Sequence, residues 1–382
     1  MKPNWQDLMR QATLAQAASL FDAAAVMQRS FSSTASARPA PPSAPPPLEE
    51  VVASPQPLVL DVEARVIEPA PSLRARRTRT RPAHVPVRRG PGEFRSGHYT
   101  QVSGSREYRL YIPPGAAEAP LPLVVMLHGC VQDPDDFAAG TRMNEVAREH
   151  GFYVLYPAQT KNANQSRCWN WFKHNHQQRG RGEPALLAAM TAETMNRYRI
   201  DRRRVYIAGL SAGGSMAAIV AHAYPELYAA VGVHSGLPPG SAFDIASGLA
   251  AMREGPRPAW HPVLPPTGFM PPSTAVPTIV FHGDRDPMVH PRNADGIIAS
   301  ALGKGGARPG ARLEQSGTVG GRRYTRFCYL EADRQHVFAE QWVVHGAGHA
   351  WAGGHPHASC TEAHGPDASR EMWRFFAEHP RP

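Results

Sequence analysis

The 382-residue sequence contains no run of eighteen apolar residues, which excludes a membrane-spanning helix. It has only four cysteines and no CxxC pair, so a disulfide-scaffold mini-fold, a zinc ribbon and a thioredoxin-type redox motif are excluded too. No internal repeat is visible. Charged residues make up 19% of the chain against 42% apolar, so most of it can bury a core. The net charge of +9 is nearly all local: seven arginines and no acid lie between residues 74 and 89, leaving +2 elsewhere. That stretch also has no aromatic residue, which argues against single strands bound by stacking. No specific nucleic-acid partner is expected, and the basic segment suits weak contact with an anionic surface.

Proline, by contrast, is plentiful at 39 residues, thirteen of them between 31 and 94. Residues 31–93 therefore read as an extended, solvated Pro/Ala/Arg-rich linker. Ahead of it, residues 5–30 place Trp5, Leu8, Met9, Ala12, Leu14, Ala18, Phe21, Ala25 and Met27 at a loose helical period, which suits a short amphipathic segment. Asp7, Arg10, Gln11, Gln16 and Asp22 interrupt any hydrophobic region there, so no secretory leader is legible.

From residue 94 to 382 short β-rich runs alternate with amphipathic stretches. Strands are expected at 108–113, 121–129, 151–157, 204–210, 230–236, 278–284 and 338–346, and helices at 135–150, 183–200, 213–225 and 367–379. Fully apolar runs such as LPLVVML suit strands buried on both faces. The expected fold class is thus α/β, a mainly parallel doubly wound sheet with helices on both faces. The segment 237–277 is longer than such a fold needs and has the length of a lid or pocket wall.

The strongest chemical signal is Gly209-Leu210-Ser211-Ala212-Gly213, a GxSxG pentapeptide between an apolar strand and a small-residue helix. A sharp strand-to-helix turn needs small neighbours and lifts the serine hydroxyl at the carboxyl edge of the sheet. A serine nucleophile needs a base and an acid, in the chain order Ser, acid, His. Asp286 follows the strand TIVFHGD, with Asp284 as the competing carboxylate. His349 lies on a loop flanked by Gly346 and Gly348, with His345 as the competing imidazole. His128-Gly129-Cys130 follows another strong strand, so an oxyanion hole is expected from the N–H groups of Cys130 and Ala212, with His128 orienting that loop and also a candidate substrate contact. Trp169, Trp171 and Trp351 stand close in sequence to these motifs and are candidate apolar walls for an acyl group or an aromatic acid.

The blocks LHGC (127–130), FAAGTRMNEVAREHGFYVLYP (137–157), CWNWF (168–172), VYIAGLSAGGSMA (205–217), FHGDRDPMV (281–289) and GAGHAW (346–351) resemble esterases of the poly(3-hydroxybutyrate) depolymerase family, near relatives of feruloyl and acetylxylan esterases. The resemblance implies an α/β-hydrolase fold, with Ser211 as nucleophile, Asp286 as acid and His349 as base. It supports a Cys130–Cys168 disulfide and leaves Cys328–Cys360 as the remaining pair, against four free thiols as the alternative. It implies no metal or organic cofactor. It also points to an extracellular setting, which the lack of a legible leader opposes. The chain ends soon after its closing helix, without the polymer-binding domain of many such depolymerases, so a soluble ester or oligomer is the expected substrate.

The expected activity is a serine carboxylester hydrolase forming an acyl-enzyme. Its substrates would be polyhydroxyalkanoate-type oligomers or other short-chain or aromatic esters. The rival readings are a peptidase or amidase on the same fold, and an inert hydrolase-like body recruited elsewhere by its N-terminal segment.

Overall fold

The computed structural model of the chain describes residues 90–101, 104–256, 276–304, 312–331 and 336–382. The expected N-terminal helix at 5–30, the arginine run and the linker up to residue 89 lie outside them. The first described strand is β1 (Glu93–Gln101), so the linker expected at 31–93 and the strand share residue 93.

Ten strands form one sheet. β1 forms a hairpin with β2 (Gly104–Ile112), which runs antiparallel to β4 (Tyr153–Pro157). Six strands then run parallel to one another in the order β4, β3 (Leu121–Leu127), β5 (Ile200–Leu210), β6 (Ala230–His234), β7 (Thr278–Gly283) and β10 (Val337–Val344). Beyond β10 a second antiparallel hairpin, β9 (Arg322–Leu330) and β8 (Arg312–Val319), closes the sheet. The sheet is therefore mixed: its parallel centre matches the expectation, and its two edge hairpins amend it.

Strand β3 shows why the centre is parallel and covered twice. Its residues are essentially all buried, yet they face two separate cores. Leu123, Val125 and Leu127 pack with Leu187 and Met190 of α3 (Gly182–Arg197) and with Met216 and Ile219 of α4 (Ala212–Ala223). Val124 and Met126 pack with Phe137 of α1 (Pro134–Thr141), Met143 and Val146 of α2 (Met143–His150), and Phe375 and Phe376 of α7 (Ala368–Glu378). Two further helices, α5 (Ile245–Glu254) and α6 (Arg292–Lys304), lie on the first of these faces, where Ala251, Ile297 and Ile298 are buried.

The single helix expected at 135–150 is two helices. Arg142 takes a left-handed conformation (φ +56°), its N–H closing on Ala138 O at 3.1 Å and its guanidinium pairing with Glu145 at 2.7 Å. The break re-aims the chain so that Phe137 before it and Met143 after it both reach the same core, a gain that outweighs one non-glycine residue in an unfavoured region.

Candidate active site

Ser211 joins β5 to α4 with φ +57° and ψ −120°, a conformation that side chains rarely hold. The surroundings enforce it. Ser211 N–H donates to His234 O at 2.8 Å, and Ser211 O accepts from Ser215 N–H at 2.9 Å. A Cβ on Gly213 would overlap the Leu127 carbonyl oxygen, and one on Gly209 would overlap the Gly213 backbone, so only glycine allows β3, β5 and α4 to meet this closely.

Asp286 and His349 come from loops that leave the neighbouring parallel strands β7 and β10, where Val344 stands opposite Gly283. His349 Nδ1 lies 2.7 Å from Asp286 Oδ2, and both residues are buried. The other carboxylate oxygen, Oδ1, accepts from Met288 N–H and Val289 N–H at 2.8 and 2.9 Å. Burial works to raise the Asp286 pKa, but the imidazoles of His349 and His282 outweigh it by charge and hydrogen bonding and hold the carboxyl well below its usual range. The two competitors form a separate pair at the surface. His345 Nδ1 lies 2.8 Å from Asp284 Oδ2, and Asp284 Oδ1 accepts from Gly346 N–H at 2.6 Å.

Sequence reasoning passed over His282 and His234. His282 is buried on β7, with Nε2 2.8 Å from Val289 O and 3.3 Å from Asp286 Oδ2, so it shares the carboxylate with His349. His234 ends β6, stacks between Phe281 and Trp351, and accepts at Nε2 from Ala352 N–H at 3.0 Å. Burial drives its pKa down to about 3, so its ring stays neutral. The only trace of either in the sequence is a histidine at the carboxyl end of a buried strand.

The loop after β3 is braced from several sides. His128 donates from Nδ1 to Gly129 O at 2.7 Å and accepts at Nε2 from Gln159 N–H at 3.1 Å. Burial lowers its pKa to about 4, which matches this neutral, Nδ1-protonated tautomer. Gly129 N–H donates to Gln132 Oε1 at 2.9 Å, and Val131 N–H to Ser166 O at 2.7 Å. Between those two tethers, Cys130 is joined to Cys168 by a disulfide. Among the described hydrogen bonds none engages the N–H of Cys130, and Ala212 N–H belongs to the first turn of α4, where backbone donors have no intrahelical partner. The positive end of the α4 dipole adds to any attraction there for negative charge.

Cys130, Cys168, Ser211 and Ala212 all line one cavity. Its remaining walls are mainly apolar: Trp171 and Phe172 from the CWNWF loop, Leu237, Ile245, Leu249 and Met252 from the segment that carries α5, and Val289. The described part of 237–277 is thus a pocket wall, while 257–275 lies outside the described residues. Of the three candidate tryptophans, Trp171 lines the cavity. Trp169 and Trp351 are fully buried and do not. Trp169 packs against His128 with ring centroids 5.7 Å apart, and Trp351 is wedged edge-on against Phe137 and donates to Ser369 Oγ. His128 is likewise buried behind the cavity, so its expected contact with substrate gives way to contact with its own loop. Cys328 and Cys360 are free thiols, which corrects the second expected disulfide. Cys328 sits on β9 opposite Glu340, whereas Cys360 lies in the loop that pairs with Trp351.

The family described as Esterase PHB depolymerase matches residues 106–316. Poly(3-hydroxyalkanoate) depolymerase C of Paucimonas lemoignei is 31% identical over 259 residues, covering 65% of this chain and 61% of that protein. Feruloyl esterase B of Neurospora crassa is 34% identical over 128 residues, covering 33% of this chain and 42% of that protein. The chain therefore spans less than two thirds of the length of either relative. Among solved structures, an acetyl xylan esterase from Aspergillus awamori matches 75% of this chain and 100% of its own, with a TM-score of 0.56 and 18% identity. That likeness shows the α/β-hydrolase fold.

Proposed function

Because the chain belongs to the PHB depolymerase family of esterases, we propose that it is a carboxylester hydrolase and that it works through a serine acyl-enzyme. The observation that carries this reading is the position of Ser211: a strained turn on the wall of a cavity that Cys130 and Ala212 also line, on the same sheet edge as the buried Asp286–His349 pair. In this reading His349 takes the Ser211 proton through Nε2 as the hydroxyl oxygen attacks the ester carbonyl. The new oxyanion is stabilised by the N–H groups of Cys130 and Ala212. Collapse expels the alcohol, which takes the proton back from His349, and water then releases the acid by the same steps in reverse order. Asp286 fixes the Nδ1–H tautomer and stabilises the imidazolium.

The apolar cavity supports an acyl group that is mainly hydrocarbon, such as a 3-hydroxyalkanoate unit or another short-chain or aromatic acid. The test has two arms. A fluorophosphonate probe should label Ser211, and Ser211→Ala should abolish both labelling and ester turnover. Turnover by that variant within about tenfold of wild type would defeat the assignment, since losing a covalent nucleophile costs far more. A panel of 3-hydroxybutyrate oligomers, feruloyl esters, acetylated sugars, nitrophenyl esters and matched anilides then fixes the substrate class and separates an esterase from an amidase.

A further inference from the structure

Glu183 has no role in the chemistry above, yet it is a carboxylate with only 3% of its surface exposed, in the first turn of α3. Taking a charge out of water is costly, and such a group persists only where donors surround it. Here they do. Glu183 Oε2 accepts from Asn170 N–H at 2.7 Å and Oε1 from Asn170 Nδ2 at 2.8 Å. Oε1 also accepts from Gln159 Nε2, while His176 Nδ1 stands 3.4 Å and Arg106 Nη2 3.7 Å away. Burial pushes the carboxyl up, but the hydrogen bonds and charge of these neighbours outweigh it, so it stays ionised below its usual range.

Two chains of contacts lead from this carboxylate to the cavity. Through Gln159, whose N–H is held by His128 Nε2 and whose Nε2 also donates to Cys168 O at 3.1 Å, it reaches the loop that carries Cys130. Through Asn170, whose Oδ1 accepts from Asn164 Nδ2 at 3.3 Å, it reaches Asn164. Asn164 Oδ1 in turn accepts from Ser166 N–H and Cys168 N–H at 3.0 and 3.3 Å. The first chain ends on both of the loops that the Cys130–Cys168 bond joins, and the second on the one that carries Cys168.

We infer that Glu183 is a positioning residue for the oxyanion hole: one buried carboxylate sets the spacing of the 128–131 and 163–171 loops and so aims the Cys130 N–H at the reacting carbonyl. The inference rests on the serine-esterase reading. A donor out of place by about 1 Å costs on the order of a hundredfold in rate, so the effect falls on the transition state and not on ground-state binding.

Glu183→Gln keeps the shape but turns an NH₂ toward a shell made of donors. In the full chain, with a nitrophenyl ester and rates normalised to fluorophosphonate-titrated sites, kcat should fall about 10- to 100-fold with KM within about twofold. Affinity for a trifluoromethyl ketone, which mimics the oxyanion, should fall by the same factor. A merely structural role would lower Tm and leave kcat per titrated site unchanged, and that result overturns the inference. Gln159→Met cuts one chain of contacts and leaves Asn170 on Glu183. It should show the same split between kcat and KM, and it decides the question if Glu183→Gln fails to fold. A wild-type chain that takes no fluorophosphonate label would overturn the esterase reading itself, and the inference with it. A labelled wild type beside an undiminished variant overturns the inference alone.

Discussion

Asp286 and His349 meet in the interior at 2.7 Å, whereas Asp284 and His345, each only a few residues away, meet at 2.8 Å on the surface. The two pairs have the same chemistry and differ in burial, which gives a direct test. Asp286→Asn should lower kcat by roughly 10³- to 10⁴-fold, because the amide favours the wrong tautomer of His349. Asp284→Asn should stay within about tenfold of wild type. Equal losses in the two variants would contradict the assignment of Asp286.

The disulfide closes a loop with a sequence separation of 38. For that length the chain-entropy model gives about 3–4 kcal/mol, and real bonds often give less. Cys168→Ser should therefore lower Tm clearly, and it should lower turnover as well because Cys130 loses its tie. Cys328→Ser, at a thiol with no partner sulfur, should leave turnover within about twofold. Thermal melts and steady-state rates on the two variants check both statements.

Acid should unfold the protein from above the range where carboxylates titrate. His128 and His234 are buried and neutral, with pKa values pushed down to about 4 and about 3. Between about pH 6.5 and 4 the unfolded chain binds more protons at these positions than the folded one. Their contribution to stability is thus fully present above about pH 6.5 and is lost as the pH falls. Each ring should remove on the order of 2 kcal/mol between pH 7 and pH 5. Urea midpoints that do not move across that interval would refute the neutral-imidazole description.

Leu249 and Met252 of α5 form the cavity wall facing Trp171. Truncating either to alanine should favour longer acyl chains over acetate, since one methylene in an apolar pocket is worth roughly 1–3 kcal/mol of discrimination. The kcat/KM ratio of a hexanoate to an acetate nitrophenyl ester should rise by about tenfold. A ratio that stays constant would mean that the acyl group binds elsewhere.

The parts of this molecule that a reader of the sequence can foresee are those where chemistry and local geometry coincide. The turn at Ser211 is legible because small residues are required at Gly209 and Gly213, and the buried strands because they are apolar throughout. Other features depend on contacts remote in sequence. Asp284 and Asp286 both follow β7, and no spacing distinguishes the carboxylate that turns inward. Arg142 breaks a helix although it is itself neither glycine nor proline. Glu183 reads as an ordinary acidic residue in a first helical turn until Asn170 and Gln159 are seen around it. Strand β8 is polar and exposed along nearly its whole length, and the mostly half-buried β9 mixes arginines with tyrosine and phenylalanine, so the pair carries little hydrophobic signal.

Those outer hairpins bear on how the molecule behaves in concentrated solution. With β1–β2 on one side and β9–β8 on the other, no strand of the parallel centre has an open edge among the described residues. Another molecule seeking to extend the sheet would meet Glu93 and Arg95 on β1 or Arg312 and Glu314 on β8, and charged edges discourage such pairing. The outermost ladders can also open alone. Their amide protons should exchange with solvent well before those of β3, β5, β6 and β7, which are released only when both cores come apart.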